Sequence, residues 1–211
     1  IFEEEDYSRL SELNAMEEGI DAQETRLIHN HIDRLMHSSC EPLAGAIGPK
    51  VIGLDGRLQS PEPFIPFWKR HVSLYWSNLF MSKKRKAEAF GEDYAQKAVE
   101  GMHYRVSGSF FMVKASDWKE CGGMDPNTFL YSEEMILSER LKKVGKGVYY
   151  YPPVAVIHEH GSTTRKYFDE YRIRMMKFRS ECYYYKTYIG TPSWQFAFAR
   201  FTYFLKRIFR R

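Results

Sequence analysis

Three short segments carry residue types whose spacing could do chemistry. Glu133-Glu134 places two adjacent carboxylates directly after an aromatic loop and a Gly-Gly turn. A carboxylate held where a loop meets a helix can take a proton from a substrate hydroxyl as a general base. The same pair could equally serve only to complement the positive helix N-terminus. His158-Glu159-His160 sets two imidazoles two residues apart. In a strand such residues face the same side and could converge on one ligand, although a metal centre needs further donors and a lone His-x-His also suits a solvated edge. Ser107-Gly108-Ser109 contains a position without a side chain, where a ligand can approach the backbone closely.

The elements that must position these groups can be read from periodicity and breakers. A helix is expected over 132–144, with Ser132 as N-cap, Glu133 and Glu134 in the first turn and Gly145 as the C-terminal stop. A strand over 104–114 would carry Gly108, followed by a short helix at 116–121 closed by Gly122-Gly123. Residues 147–151 and 154–158 read as two edge-like strand segments divided by Pro152-Pro153. The glycine-rich apolar run 43–53 reads as a buried strand ending at the Asp55-Gly56 turn, and Pro61, Pro63 and Pro66 make an irregular loop after it. Residues 3–40 show helical spacing interrupted at Gly19, and residues beyond 165 are again helical. Strands alternating with helices indicate an α/β layer fold.

Taken in order, Val106 to Thr164 resembles the C-terminal half of family 2 glycosyltransferases of GT-A fold, particularly the bacterial rhamnosyltransferase-like branch. The resemblance is carried by Gly108-Ser109, Gly122-Gly123-Met124-Asp125, Phe129-Leu130-Tyr131-Ser132-Glu133-Glu134, Arg140, Gly145, Pro152 and Val156-Ile157-His158 with Ser162. Residues 43–57 are similar to the strand and turn that precede this stretch in the family.

The resemblance implies a GT-A-like, nucleotide-diphospho-sugar transferase fold and inverting sugar transfer. Glu134 would be the base that deprotonates the acceptor, and Glu133 would assist it. Gly108, Ser109 and Arg140 would lie at the donor, and Tyr131, Trp76 and Trp68 at the acceptor. His158 would lie near the donor diphosphate and its divalent metal, Mg or Mn. Two departures accompany the match. Glu134 and Ile136 stand where relatives carry Asp, and the chain has no Asp-x-Asp motif. The fold is therefore expected to be partial, lacking most of the nucleotide-binding half, with Ile1 an interior residue. The division expected is 1–164 for the catalytic portion and 165–211 for a basic aromatic tail.

Composition sets the outer bounds. The 211 residues include 15 Phe, 15 Tyr and 4 Trp, which excludes collagen-like, low-complexity and wholly disordered classes. Cys40, Cys121 and Cys182 lie far apart without a Cys-x-x-Cys motif, as expected of free, mostly buried thiols rather than a disulfide framework. The net charge of +4 hides a polarity: residues 1–25 hold nine acids against one Arg, a balance of −8, and residues 165–211 hold twelve Lys or Arg against three acids, a balance of +9. On a helical wheel Trp194, Phe198, Phe201, Leu205 and Phe209 share a sector, with Arg200, Arg207 and Arg211 roughly opposite. That pattern fits either packing on the protein's own core or peripheral contact with an anionic membrane.

The partners expected are a nucleotide-sugar donor and a saccharide or lipid-linked acceptor, at the cytoplasmic face of the plasma membrane. A non-catalytic glycan- or partner-binding module is the alternative. Nucleic acid is not expected, since no such binding signature accompanies the charge.

Overall fold

The structure is a computed structural model that describes residues 43–73, 82, 85, 93–128, 130–158 and 168–209, the last seven by backbone alone. The helices expected over 3–40, together with Cys40, Trp76, Phe129 and His160, lie outside the described residues. Gly45–Arg211 group as one compact unit.

Among the described residues the sheet is four-stranded, ordered β2-β4-β1-β3. Strand β1 (Ala44–Ile52) is buried along nearly its whole length, as its continuous apolar, glycine-rich run requires of an inner strand. The Asp55-Gly56 turn follows, with Gly56 at φ 76° and the Gly53 N–H donating to Arg57 O at 2.8 Å. A π-helix (Lys69–Ser73) follows the proline-rich loop. Helix α1 (Tyr94–Lys97) precedes β2 (Gly101–His103), and β3 (Met112–Val113) leads into α2 (Ala115–Cys121). Helix α3 (Glu133–Lys143) is followed by β4 (Gly147–Ile157), and helices α4 (Glu170–Thr187) and α5 (Ser193–Phe209) complete the order. β1 pairs antiparallel with β3, Ala46 opposite Val113, and β2 pairs antiparallel with β4, His103 opposite Val148.

Two expectations about strands are corrected. The stretch 104–114 is not one strand: pairing with β4 stops at His103, Arg105 makes only an isolated bridge to Glu62, and after the buried Val106 the chain turns outward, with Gly108 and Ser109 exposed, before pairing resumes at Met112. Pro152-Pro153 does not split the next strand, and β4 is internal, running unbroken through both prolines. Its pairing with β2 ends at Tyr150, so that edge asks no donor of the prolines.

Helix α3 is buried on two faces. Leu137 and Leu141 pack with Ala46, Val106, Val148 and Tyr150 of the sheet side. Met135 and Ile136 pack with Phe67, Val72, Tyr184, Tyr185 and Ala199. A 3.6-residue repeat with apolar residues on both sides produces this placement, and it fixes the direction in which the first turn of α3 points. Close approach also shapes the sheet: a Cβ at Gly48 would lie 2.6 Å from Val106 Cβ, so only glycine lets that residue lie over β1.

Candidate active site at the start of helix α3

The acidic pair opens α3 as expected, but the cap differs. Tyr131 and Ser132 both occupy the left-handed region, at φ 69° and 70°. That backbone costs a side chain about 1–3 kcal/mol per residue and persists only where surroundings enforce it. Ser132 contributes only its carbonyl, which accepts from Ile136 N at 2.9 Å. Its Oγ is buried without a partner and caps nothing, because the left-handed turn carries it away from the first-turn amides. The Glu133 carboxylate lies instead against its own N–H and that of Tyr131, which precedes the helix. Burial raises the Glu133 pKa, and the neighbouring Glu134 charge adds to the rise.

The surroundings that hold this turn converge on Asp125. Asp125 Oδ1 accepts from Asn127 N at 2.9 Å and Asn127 Nδ2 at 2.8 Å. Its Oδ2 accepts from the Tyr183 hydroxyl at 2.8 Å and the Tyr188 hydroxyl at 2.6 Å. Arg140 Nη2 lies 3.6 Å away. Burial alone would raise this carboxyl, but the hydrogen bonds from Tyr188, Asn127 and Tyr183 outweigh it and hold the group well below the usual carboxylate range. Arg140 also donates from Nη1 to the carbonyls of Gly122 at 2.7 Å and Gly123 at 2.8 Å, and from Nε to the Tyr188 oxygen at 2.9 Å. Ser180 Oγ donates to Leu130 O at 2.6 Å. The loop before α3 is thus tied to the Gly-Gly turn, to α3 itself and to α4.

Glu134 projects from this fixed turn with its side chain 23% exposed, reachable from solvent. Its Oε1 lies 3.4 Å from Arg105 Nη1. Arg105 is buried, and its other terminal nitrogen donates to Glu62, so one guanidinium stands between two carboxylates. The same two residues are joined through their backbones, Glu62 N donating to Arg105 O at 2.9 Å. Gly108 closes the other side: a Cβ there would meet Glu134 Cγ and Oε1 at 3.0 Å. The two sequence signals, the bare backbone at 108 and the acid at 134, therefore meet in space. Beside them Ser109 is exposed, and its Oγ lies 2.9 Å from Ser107 Oγ. The arrangement offers a solvent-reachable carboxylate, oriented by a cation, against an open backbone edge.

The remaining candidates fall in three places. Tyr131 lies half-buried in the strained turn itself. Arg140 is engaged as described and also lines an open cleft of about 370 Å³ with Lys143, Glu120 and Tyr188. Trp68 meets helix α5, its ring 5.5 Å from Trp194 and 5.3 Å from Phe198. His158 follows the end of β4, its N–H donating to Ile52 O at 2.9 Å and its carbonyl accepting from Gln59 Nε2 at 3.2 Å. No group of three His, Cys, Asp or Glu residues able to hold a metal gathers among the described residues. A divalent cation asks for about six oxygen-rich ligands, so His158 and its described surroundings do not make up a site for one.

Sequence reasoning missed Arg105, Glu62 and the Asp125 network. A single Arg inside the otherwise apolar Tyr104–Val106 run was the available signal for the first. Asp125 and Arg140 stand in the quoted motifs, but nothing local pointed to Glu62 or to the tyrosines that gather on Asp125. Cys121 and Cys182 are free thiols, half-buried rather than buried.

No family model matches the chain, and no solved structure does. Over 134 residues it is 27% identical to proteins described as N-acetylglucosaminyl-diphospho-decaprenol L-rhamnosyltransferase, in two strains of Mycobacterium tuberculosis. The match takes in 63% of this chain and 43% of each relative, so the chain spans less than half the length of the curated relatives it matches. This similarity supports a relationship to the glycosyltransferases.

Proposed function

We propose that the chain is the acceptor-side portion of an inverting, family 2 glycosyltransferase of GT-A-like fold, with Glu134 as the catalytic base. The observation that carries the reading is the meeting of Glu134, Arg105 and Gly108 at the strained start of α3, in a chain related to a sugar transferase. Glu134 takes the proton of the acceptor hydroxyl as its oxygen attacks the anomeric carbon, and the nucleoside diphosphate leaves with the bonding pair of the broken C–O bond. Arg105 orients the carboxylate, and Glu62 fixes Arg105. Gly108 and Ser109 leave room for the sugar. Glu133, lodged on backbone amides, holds the turn from which Glu134 projects.

A nucleotide-sugar is the donor. By analogy with the rhamnosyltransferases, a saccharide on a diphospho-lipid is the acceptor class, and the work is done at a membrane face. The divalent metal of the family belongs with the donor diphosphate.

The test is Glu134→Gln in the full-length protein. Transfer to acceptor should fall by at least about 10²-fold, since proton removal contributes about 10²–10⁴, while nucleotide-sugar binding stays within about twofold. Undiminished turnover sinks the base assignment. Glycan binding without any turnover in the unmutated protein would favour the non-catalytic module.

A further inference from the structure

Helix α5 is apolar on two separate faces. Its inward face is Phe196, Ala199 and Thr202: Ala199 and Thr202 are fully buried, and the Phe196 ring lies tilted 4.6 Å from that of Phe67. At 100° per residue the Trp194–Phe198–Phe201 stripe is centred roughly 140° away from that face. It stays in solvent, with Trp194 59% and Phe201 54% exposed. The core therefore does not account for the stripe. Trp68, in the helical turn that runs into the π-helix, stacks on Phe198 and meets Trp194 at a tilt, extending the stripe onto a second element.

We infer that this two-element aromatic patch is a docking surface for an anionic phospholipid bilayer. The occupant is chosen by charge and residue type. The segment 193–211 contains no acid and five Lys or Arg: Arg200, Lys206, Arg207, Arg210 and Arg211. Arg200 is exposed on the side of the helix roughly opposite the stripe. Tryptophan backed by uninterrupted positive charge suits the interfacial layer, where indole rings lie at headgroup depth and cations meet anionic lipid. No described helix is long and apolar enough to cross a membrane, so the contact is of the kind that lies on the surface. This inference needs no sugar chemistry, and it stands or falls independently of the transferase reading.

The experiment is co-sedimentation of the full chain with vesicles of phosphatidylcholine, alone or mixed with phosphatidylglycerol. Binding is expected to the mixed vesicles only, weakening as salt is raised. Trp194→Ser/Phe201→Ser, two of the most exposed aromatic positions, should weaken partitioning at least about tenfold with an unchanged circular dichroism spectrum. Arg200→Gln/Lys206→Gln/Arg207→Gln leaves the apolar surface alone and should weaken it by about a hundredfold, near fivefold per cation removed. Equal binding to both vesicle types, or full binding by either variant, overturns the proposal. So does sedimentation equilibrium showing a dimer that Trp194→Ser/Phe201→Ser dissolves, which would assign the patch to a second copy of the chain.

Discussion

Replacing Asp125 by alanine should unfold the protein far more readily than its exposed-loop sequence context suggests. The buried carboxylate accepts four hydrogen bonds, from Asn127 N, Asn127 Nδ2, Tyr183 and Tyr188, and faces Arg140. A hydrogen bond to a charged group contributes about 1.5–3 kcal/mol, but losses within one network overlap rather than add. Removing one partner of a buried charge pair costs about 3–5 kcal/mol. The loss expected for Asp125→Ala is therefore about 4 kcal/mol, or about 8–16 °C in Tm for a chain of this length.

Asp125→Asn keeps the shape and one acceptor, and should fall between the two. Urea unfolding of all three proteins at neutral pH measures this. Acid titration adds an independent check. The folded pKa of Asp125 is depressed, so its contribution is fully present above the unfolded value of about 4 and drains away as pH falls below it. The unmutated protein should lose stability on that limb, and Asp125→Asn should lose less. A cost below about 1 kcal/mol for Asp125→Ala, with unchanged acid limbs, would refute the network's role in holding the turn.

Three further outcomes follow from particular contacts. Gly108→Ala puts a methyl 3.0 Å from Glu134 Cγ and Oε1, displacing a flexible carboxylate end. Stability should change by no more than about 0.5 kcal/mol, while turnover of the full-length protein falls about tenfold or more. Undiminished turnover would separate Gly108 from the site. Gly48→Ala should cost about 1–3 kcal/mol, because its methyl would lie 2.6 Å from both Cβ and Cγ2 of Val106. Strict additivity with Val106→Ala in a double-mutant cycle would deny that contact.

Glu181 is buried, with Arg70 Nε at 2.9 Å and His71 Nε2 at 3.1 Å. Burial opposes its ionisation, but the His71 hydrogen bond and the Arg70 charge bring its pKa down to about 2. Glu181→Gln should cost about 3 kcal/mol at neutral pH. That difference should shrink as pH falls from about 4.3 through about 2, and a pH-independent cost would contradict it.

Local chemistry was enough to place several elements. The apolar run before Asp55-Gly56 forms β1, and Gly122 and Gly145 end α2 and α3 in left-handed conformations that glycine adopts without cost. Helix α3 begins one residue after the expected N-cap, since first-turn acids and a 3.6-residue apolar repeat act within the segment itself. Where the expectation failed, neighbours decided. The residues around Gly108 have strand-like composition, yet they turn outward against Glu134. The prolines of β4 are tolerated because β2 no longer pairs there. Ser132 has the residue type of a cap but is forced into a backbone that cannot use it.

The candidate site divides the same way. Sequence alone determined that Glu133 and Glu134 open a helix, that Gly108 is bare, and that the C-terminal segment is aromatic and basic. Only the tertiary structure set Arg105 between Glu62 and Glu134, 43 and 29 residues apart from it. Only it gathered Tyr183 and Tyr188 onto Asp125, 58 and 63 residues away. It also chose which of the two apolar faces of α5 would be buried. Pairings of this kind depend on which side of a packed helix each group reaches, and that is fixed by the core that α3 shares with the sheet and with α4.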